Sequence, residues 1–566
     1  MFIGISAYYH DSSVSLIDEN CDLIDFKKEE WLSRVKGDNS FPRLSLQEII
    51  NNHNLSFENV NCICFYEKPL RSWLTVLKHS IKNNKISNEL TRNYFKNIWK
   101  SSVIFGYDLS KFKTLKNVPV IYSEHHMSHT LSALYYYNGP CVSLVVDGYG
   151  DKYCTSIHHV MPNNVIKELW TSEYPNSIGL FYSAITDFLG FAVNEGEYKV
   201  MGFASFGEPV FYDKLKETIK FENNELKLNT DFYDFVRSTR NSYSNALTDI
   251  FKIGPRESHI PLEIGDKNFK IYANIAASAQ KVTEDILISL CRYANKISGE
   301  KRFLLSGGVA MNSTAVGKLS KLDCIDEINI PPSPGDSGAS IGAAYFAYIN
   351  KNKTTHSAIK IKKKLFPGFS HSKDDFYINV MDKIADQDNL LFEAAKILEN
   401  NQILATCYEN IETGPRALGN RSLICNAHNE NLVKELSVKI KNRSPFRPTA
   451  PAVLEEDAHK YFELEKSIFN GYYHMAATTK VKEKYKKDIQ GVVHVDNTSR
   501  IQICTENQLL GRLLKLLRKK NIFVLANTSF NFSSDPMVYD KEDAFLAVKR
   551  MNIKFLLTET GIYKLK

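Results

Sequence analysis

The chain has 566 residues, 43% hydrophobic, 24% charged and 12% aromatic, a balance that excludes a disordered, collagen-like or fibrous polymer. At roughly 150 residues per domain the length rules out one small domain and leaves room for several, or for two large α/β domains. Lys+Arg 71 against Asp+Glu 64 gives +7, spread thinly; the short run Lys360 to Lys364 reads as a solvated connector, so small anionic substrates are favoured and no nucleic acid is expected.

Ten cysteines are too sparse for a disulfide framework and none is spaced CxxC, so Cys62 and Cys64 read as reduced core residues. The chain opens Met-Phe-Ile-Gly-Ile-Ser without a basic leader, and nowhere do about 18 apolar residues run together. Neither a secretory signal nor a membrane span is expected, and the protein reads as cytoplasmic.

In chain order, Phe2 to Ala7, Val14 to Asp18 and Cys21 to Lys27 predict strands around the polar break His10-Asp11-Ser12-Ser13. Cys62 to Tyr66, Val118 to Ser123 and Val142 to Asp147 predict further strands. Helices are expected over Ser177 to Phe188 and Ile275 to Ile297, then a strand at Phe303 to Leu305 running into Gly307-Gly308 and another helix. Strand, glycine turn and helix in succession indicate an α/β protein. Residues 351–375 are polar and punctuated by Pro367-Gly368, which marks a boundary. Beyond it a helix is expected over Leu390 to Glu399, with strands at Ile403 to Cys407 and Phe523 to Ala526. No repeat of 20–50 residues is visible.

His125 and His129, spaced i, i+4 after a strand, place two imidazoles on one helix face, a metal-ligand pattern that surface and core helices also carry. His126 points elsewhere. Asp147 follows an apolar strand, and Asp336 stands in Pro334-Gly335-Asp336-Ser-Gly338, where capping explains the carboxylate but not the small residues around it. Two imidazoles with one or two carboxylates suit Fe(II), Mn or Zn alike. Ser306-Gly307-Gly308-Val-Ala-Met-Asn312 offers free amides at a helix start for an anion, though a Gly-Gly turn is also ordinary structure; it is neither a GxxxxGK loop nor a GxGxxG fingerprint. Lys199 could add a cation. The densest cationic cluster is C-terminal: Arg416 and Arg421 among glycine turns, then Lys441, Arg443 and Arg447, then Arg500, in turns that suit bidentate phosphate contacts.

Taken together, Gly4-Ile-Ser-Ala-Tyr-Tyr-His10-Asp11, His125-His-Met-Ser-His129, Asp147-Gly-Tyr-Gly, Lys199-Val-Met-Gly, Gly414-Pro-Arg-Ala-Leu-Gly-Asn-Arg-Ser422, Phe446-Arg-Pro-Thr-Ala-Pro-Ala452, His494-Val-Asp-Asn-Thr-Ser-Arg500 and Asn527-Thr-Ser-Phe-Asn531 resemble the NodU/CmcH/TobZ-type O-carbamoyltransferases, in the family's order across nearly the whole chain. The resemblance implies an actin-like (duplicated, ribonuclease H-like) metal-binding transfer domain over residues 1–355, a linker over 356–375 and a YrdC-like adenylate-forming domain over 376–566. It further implies that ATP, with Mg, and carbamoyl phosphate yield carbamoyl-adenylate, whose carbamoyl group passes to a hydroxyl of a small-molecule or sugar acceptor. By matching position, His125, His129 and Asp336 would bind Fe(II), with Mn or Zn as alternatives. Asp147 would stand beside metal and acceptor, and His10 would take the hydroxyl proton. Lys36, Lys199, Gly307, Gly308, Asn312, Arg416, Arg421, Lys441, Arg443, Arg447, Arg500, Asn527 and Ser529 would bind ATP or carbamoyl phosphate.

Two positions depart from the family pattern: Ser534-Asp535-Pro536 replaces Gly-Glu-Pro, and Asp496-Asn-Thr-Ser-Arg500 replaces Asp-Gly-Thr-Ala-Arg. Hydrogenase-maturation proteins share both domain types but carry paired CxxC motifs, absent here. A tRNA-modifying enzyme lacks support without a basic arm. A non-catalytic ATP-binding regulator is the alternative of a different class, alongside carbamoyl transfer to a non-hydroxyl acceptor. The acceptor's identity and the oligomeric state have no readable signature.

Overall fold

The computed structural model describes residues 1–82, 105–137, 139–162, 165–235, 242–352, 365–367 and 381–566. The chain forms two compact units: an N-terminal one comprising Met1–Ser33 and Gly37–Lys364, and a C-terminal one comprising Leu365–Lys566 together with the short segment Arg34–Lys36. The expected linker falls outside the described residues except at 365–367.

The N-terminal unit is α/β and carries the same sheet twice. In the first, β1 (Phe2–Ser6), β2 (Ser13–Ile17) and β3 (Leu23–Lys28) form an antiparallel meander, and β4 (Cys62–Phe65) and β5 (Val120–Tyr122) add in parallel on the other side of β1. The order is β3-β2-β1-β4-β5. In the second, β6 (Cys141–Gly150), β7 (Tyr153–Val160) and β8 (Ile166–Glu173) form the meander. After a separate hairpin of β9 (Ile219–Glu222) and β10 (Glu225–Leu228), β11 (Arg302–Ser306) and β12 (Glu327–Asn329) add in parallel on the other side of β6, giving β8-β7-β6-β11-β12. Each fifth strand leads to a helix, His125–Tyr136 after β5 and Asp336–Asn352 after β12.

These two helices cross where Gly342 meets Ser128: a Cβ on Gly342 would lie 1.8 Å from the Ser128 carbonyl oxygen. The second helix also lies against β1, where a Cβ on Gly4 would sit 1.9 Å from the Ser340 carbonyl oxygen. Ser13 Oγ donates to the Ser337 carbonyl at 2.7 Å and Ser15 Oγ pairs with Ser340 Oγ at 2.6 Å. Small residues in Ser337-Gly-Ala-Ser-Ile-Gly-Ala-Ala344 therefore serve close helix approach, with their polar atoms satisfied.

Three expected boundaries move for physical reasons. The third strand begins at Leu23 because Cys21, at φ 63, belongs to the preceding turn. The long helix starts at Phe269, whose ring packs 5.0 Å from Phe203, and ends at Gly299 in the left-handed conformation. The strand expected to stop at Asp147 continues to Gly150 through a register shift after Val146.

The C-terminal unit is built on a mixed sheet of eight strands. In chain order these are β13 (Met381–Asp386), β14 (Leu404–Cys407), β15 (Arg421–Asn426), β16 (Ala450–Leu454), then, after the hairpin β17 (Thr478–Lys480) and β18 (Thr498–Arg500), β19 (Gln502–Cys504), β20 (Val524–Ser529), β21 (Phe555–Thr558) and β22 (Gly561–Leu565). Their order is β13-β22-β21-β14-β15-β20-β16-β19. Helices Leu390–Glu399 and Leu509–Leu517 bury leucines such as Leu398, Leu510 and Leu514 with Leu404, Ile424 and Leu525 of the strands. Among the described residues no helix is long and apolar enough to cross a membrane.

Candidate functional site

Both histidines of the HxxxH pair lie on the His125–Tyr136 helix and are buried. The helix start is fixed from outside: the His125 amide donates to Asp151 Oδ2 at 2.7 Å, and the other oxygen of Asp151 accepts from the Lys68 amide. The register shift in β6 turns Asp147 inward beside them. Asp147 Oδ1 accepts from the Gly148 and Gly308 amides at 2.7 and 3.2 Å, which leaves Oδ2 to face His125 Nε2 at 3.3 Å and His129 Nε2 at 3.0 Å. Asp336 opens its helix with Oδ1 3.3 Å from His129 Nε2 and 3.7 Å from His125 Nε2. One donor atom from each of the four residues lies within 4.8 Å of the others. Gly150 leaves the room this needs, since a Cβ there would fall 2.1 Å from His125 Cδ2.

The electrostatics fit a cation. Burial alone would raise the Asp147 carboxyl, yet His125 and His129 hold it well below the ordinary range. Burial lowers His129, but Asp147 and Asp336 outweigh it and bring its pKa to about 9. Both Asp336 oxygens are buried without a hydrogen bond. Two buried carboxylates and two imidazole nitrogens converging this way form a group able to bind a metal ion. His126 is no part of it: its Nδ1 meets Ser156 Oγ at 2.8 Å, and burial pushes its pKa well down.

His10 stands at the edge of this group, with Nε2 3.6 Å from Asp336 Oδ2 and Nδ1 3.1 Å from Asp11 Oδ2. Burial opposes its protonation, but Asp336, Asp11 and Asp147 raise its pKa to about 10. The glycine turn serves a purpose that spacing did not disclose. Gly307, at φ 88, presses against the Val146 carbonyl, and the Gly308 amide donates to Asp147. Asn312 caps the following short helix at the Ala315 amide and exchanges hydrogen bonds with buried Gln280, which accepts from Tyr182. Lys199 Nζ lies 5.6 Å from the centre of the Phe191 ring.

The C-terminal unit gathers the cations. Burial and the charges of Arg443, Arg447 and Lys36 push the Lys441 ammonium well down; burial with Arg416, Arg443 and Arg447 does the same to Arg500. Six cations from four stretches of sequence thus share one neighbourhood. Lys36 donates to the Ser533 carbonyl at 2.8 Å, Arg447 to Ser533 Oγ at 3.1 Å, and Arg443 to Ser529 Oγ at 3.4 Å. Lys441 donates to the Ser529 carbonyl and to both oxygens of Asn531. The end of β20 and Asn531 just beyond it therefore orient the lysine.

Arg421 stands apart. It is fully buried and donates to the carbonyls of Tyr539, Tyr408, Glu409 and Asn420, so it anchors the fold. Two residues that sequence patterns did not single out organise the cluster. Buried Glu412 accepts from the amides of Leu418, Asn420 and Arg421, shaping the Arg416 loop. Buried Gln502 joins Leu418 to Asn527. A lone Glu or Gln has no spacing that marks it; only its place in the fold does, Glu412 inside the loop between β14 and β15 and Gln502 at the start of β19.

A family model for the carbamoyltransferase N-terminus matches residues 1–345, and one for the carbamoyltransferase C-terminus matches residues 395–564. An uncharacterised protein of Synechocystis is 30% identical over 99% of this chain and 96% of its own length. Nodulation protein NolNO of Sinorhizobium fredii is 27% identical over 95% of this chain and 76% of its own. Nodulation protein U of Rhizobium tropici is 27% identical over 46% of this chain and 44% of its own. Among solved structures, the activator of the 2-hydroxyisocaproyl-CoA dehydratase of Clostridium difficile is 12% identical, covering 64% of this chain and all of its own with a TM-score of 0.32.

Proposed function

This chain belongs to the carbamoyltransferase family, a family of enzymes, and on that premise we propose that it is an ATP-dependent O-carbamoyltransferase working in two steps. In the first, carbamoyl phosphate loses its phosphate to water, and the resulting carbamate attacks the α-phosphate of ATP, giving carbamoyl-adenylate and pyrophosphate. In the second, an acceptor hydroxyl displaces AMP from the carbamoyl carbon and becomes a carbamate ester.

We assign the first step to residues 376–566, read as a YrdC-like domain, and the second to residues 1–355, read as an actin-like domain. The repeated sheet order of the N-terminal unit supports the second reading of fold. For adenylation, Lys36, Arg416, Lys441, Arg443, Arg447 and Arg500 would hold the phosphates of ATP, which carries Mg, and of carbamoyl phosphate, with Asn527 and Ser529 beside them; a cationic wall also keeps water from the mixed anhydride. Arg421 takes no part, because its donors face carbonyls. Lys199, Gly307 and Asn312 would line the nucleotide's place in the transfer domain, while Gly308 supports it through Asp147.

For transfer, His125, His129, Asp147 and Asp336 would hold Fe(II), or Mn or Zn, which polarises the carbonyl and leaving phosphate when bound. His10 Nε2 would take the hydroxyl proton. Its elevation to about 10 arises from carboxylates whose charge a bound cation offsets. A cytoplasmic site of action is part of the proposal, in keeping with ten unbridged cysteines.

The observation that carries this reading is a histidine poised beside a four-donor metal group in one unit, while a dense cation cluster stands in the other. Incubation with ATP, Mg, carbamoyl phosphate and a panel of hydroxylated small molecules and sugars, followed by mass spectrometry, tests it. One added carbamoyl group with stoichiometric AMP and pyrophosphate is expected. ADP as the product would replace the adenylate route with a kinase-like one.

A further inference from the structure

Asn527 is 1% exposed, and its side-chain amide has only one orientation that the surrounding groups permit. The Leu418 carbonyl can only accept, so the group facing it at 2.7 Å is Gln502 Nε2. That leaves Gln502 Oε1 as an acceptor 2.6 Å from Asn527, which must offer Nδ2 there, and Nδ2 also donates to the Ala417 carbonyl at 3.0 Å. Both amides are thus locked by backbone carbonyls, and Asn527 Oδ1 is left buried with no hydrogen-bond partner. It lies among the cations. Ser529, two residues on and so on the same face of β20, accepts from Lys441 and Arg443; Ala417 adjoins Arg416; and Gln502 follows Arg500 by two.

A neighbourhood of Lys and Arg donors recognises phosphate and carboxylate oxygens, but it cannot distinguish one acyl phosphate from another. The small substrate of the proposed first step carries one donor, its NH₂ group. We infer that Asn527 Oδ1 accepts from that NH₂ and is the specificity-determining atom for a carbamoyl over an acetyl group, with Gln502 as the positioning residue that keeps Nδ2 engaged and Oδ1 available. This deepens the reading given above and rests on it. A methyl group in the same place leaves Oδ1 buried and unpaired, the situation in which hydrogen-bonding sites reject analogues most strongly.

The test uses two unreactive phosphonates that differ only at this group, phosphonoacetamide (NH₂) and 2-oxopropylphosphonate (CH₃), titrated calorimetrically into the full-length protein. The wild type should prefer the amide by about 10–100-fold. Asn527→Leu should weaken the amide by that factor and leave the ketone unchanged, so that the two bind alike. Gln502→Leu, which frees the Asn527 amide to turn, should lower discrimination in the same direction, and it serves if Asn527→Leu does not fold. Equal wild-type binding of the two ligands overturns the inference, and so does discrimination that survives in both variants. Binding of neither phosphonate, together with no carbamoyl phosphate-dependent exchange of pyrophosphate into ATP, instead removes the adenylation reading beneath it.

Discussion

Replacing Gly150 by alanine tests the metal group through space alone, without removing a ligand. A Cβ there would stand 2.1 Å from His125 Cδ2, whereas ordinary contact begins at 3.4 Å. The imidazole would have to move by about 1.3 Å to relieve it. Metal–ligand distances tolerate about 0.2 Å, so Nε2 would leave the group that holds four donor atoms together. The variant should lose at least about 10–100-fold in affinity for Mn(II) or anaerobic Fe(II), read by calorimetry and metal content, with about 1–3 kcal/mol of lost stability from overpacking. Gly148→Ala is the control on the same strand, because its Cβ would meet nothing nearer than 3.9 Å and metal binding should be unchanged. Pyrophosphate exchange into ATP, assigned to the other unit, should survive both. A folded Gly150→Ala protein with wild-type metal affinity would refute the assignment of His125 as a ligand.

Arg500→Met should cut carbamoyl phosphate-dependent pyrophosphate exchange by roughly 10²–10³-fold while leaving metal content intact; unchanged exchange would place the phosphates elsewhere. His10→Gln should do the reverse, keeping exchange but lowering acceptor carbamoylation by roughly 10²–10⁴-fold, and loss of exchange in this variant would count against two separate sites. Burial opposes His129 protonation but Asp147 and Asp336 raise its pKa to about 9, so in the metal-free protein its stabilising contribution is whole below the ordinary value of 6.5 and lost as pH rises through about 9. Asp147, depressed by the two histidines despite burial, contributes above its ordinary 3.8 and is lost in acid. Metal needs the unprotonated imidazole, so binding near neutral pH should release a proton and tighten towards pH 9, measured by calorimetry in buffers of unlike ionisation heat; binding without proton release contradicts the protonated His129.

Elements that one strong local signal specifies were legible in the sequence. The helix Leu390–Glu399 and the apolar strands β1 and β4 fall within a residue or so of expectation. Those shaped by tertiary partners were not. Nothing local states that β6 shifts register to carry Asp147 inward, or that β20 runs on to bring Asn527 and Ser529 into a sheet. The same limit applies to side chains: Arg416, in the glycine-rich turn, and Arg421, at the start of β15, stand five residues apart, yet Arg421 meets four carbonyls while the charge of Arg416 acts on Arg500. Composition cannot separate a phosphate ligand from an anchor; the partners of the guanidinium can.

The doubled sheet explains why the site of the N-terminal unit draws on such distant residues. His10 follows β1 and Asp147 lies near the end of β6, the corresponding first strands of the two sheets. His125 and His129 begin the helix after β5, and Asp336 begins the helix after β12, the corresponding fifth strands. Corresponding elements of the two halves thus supply the group: the two helix starts give His125, His129 and Asp336, and β6 gives Asp147. Imidazole from one half and carboxylate from the other make a mixed donor set of the kind that suits Fe(II), Mn or Zn. At the helix starts, histidine stands in one half where aspartate stands in the other.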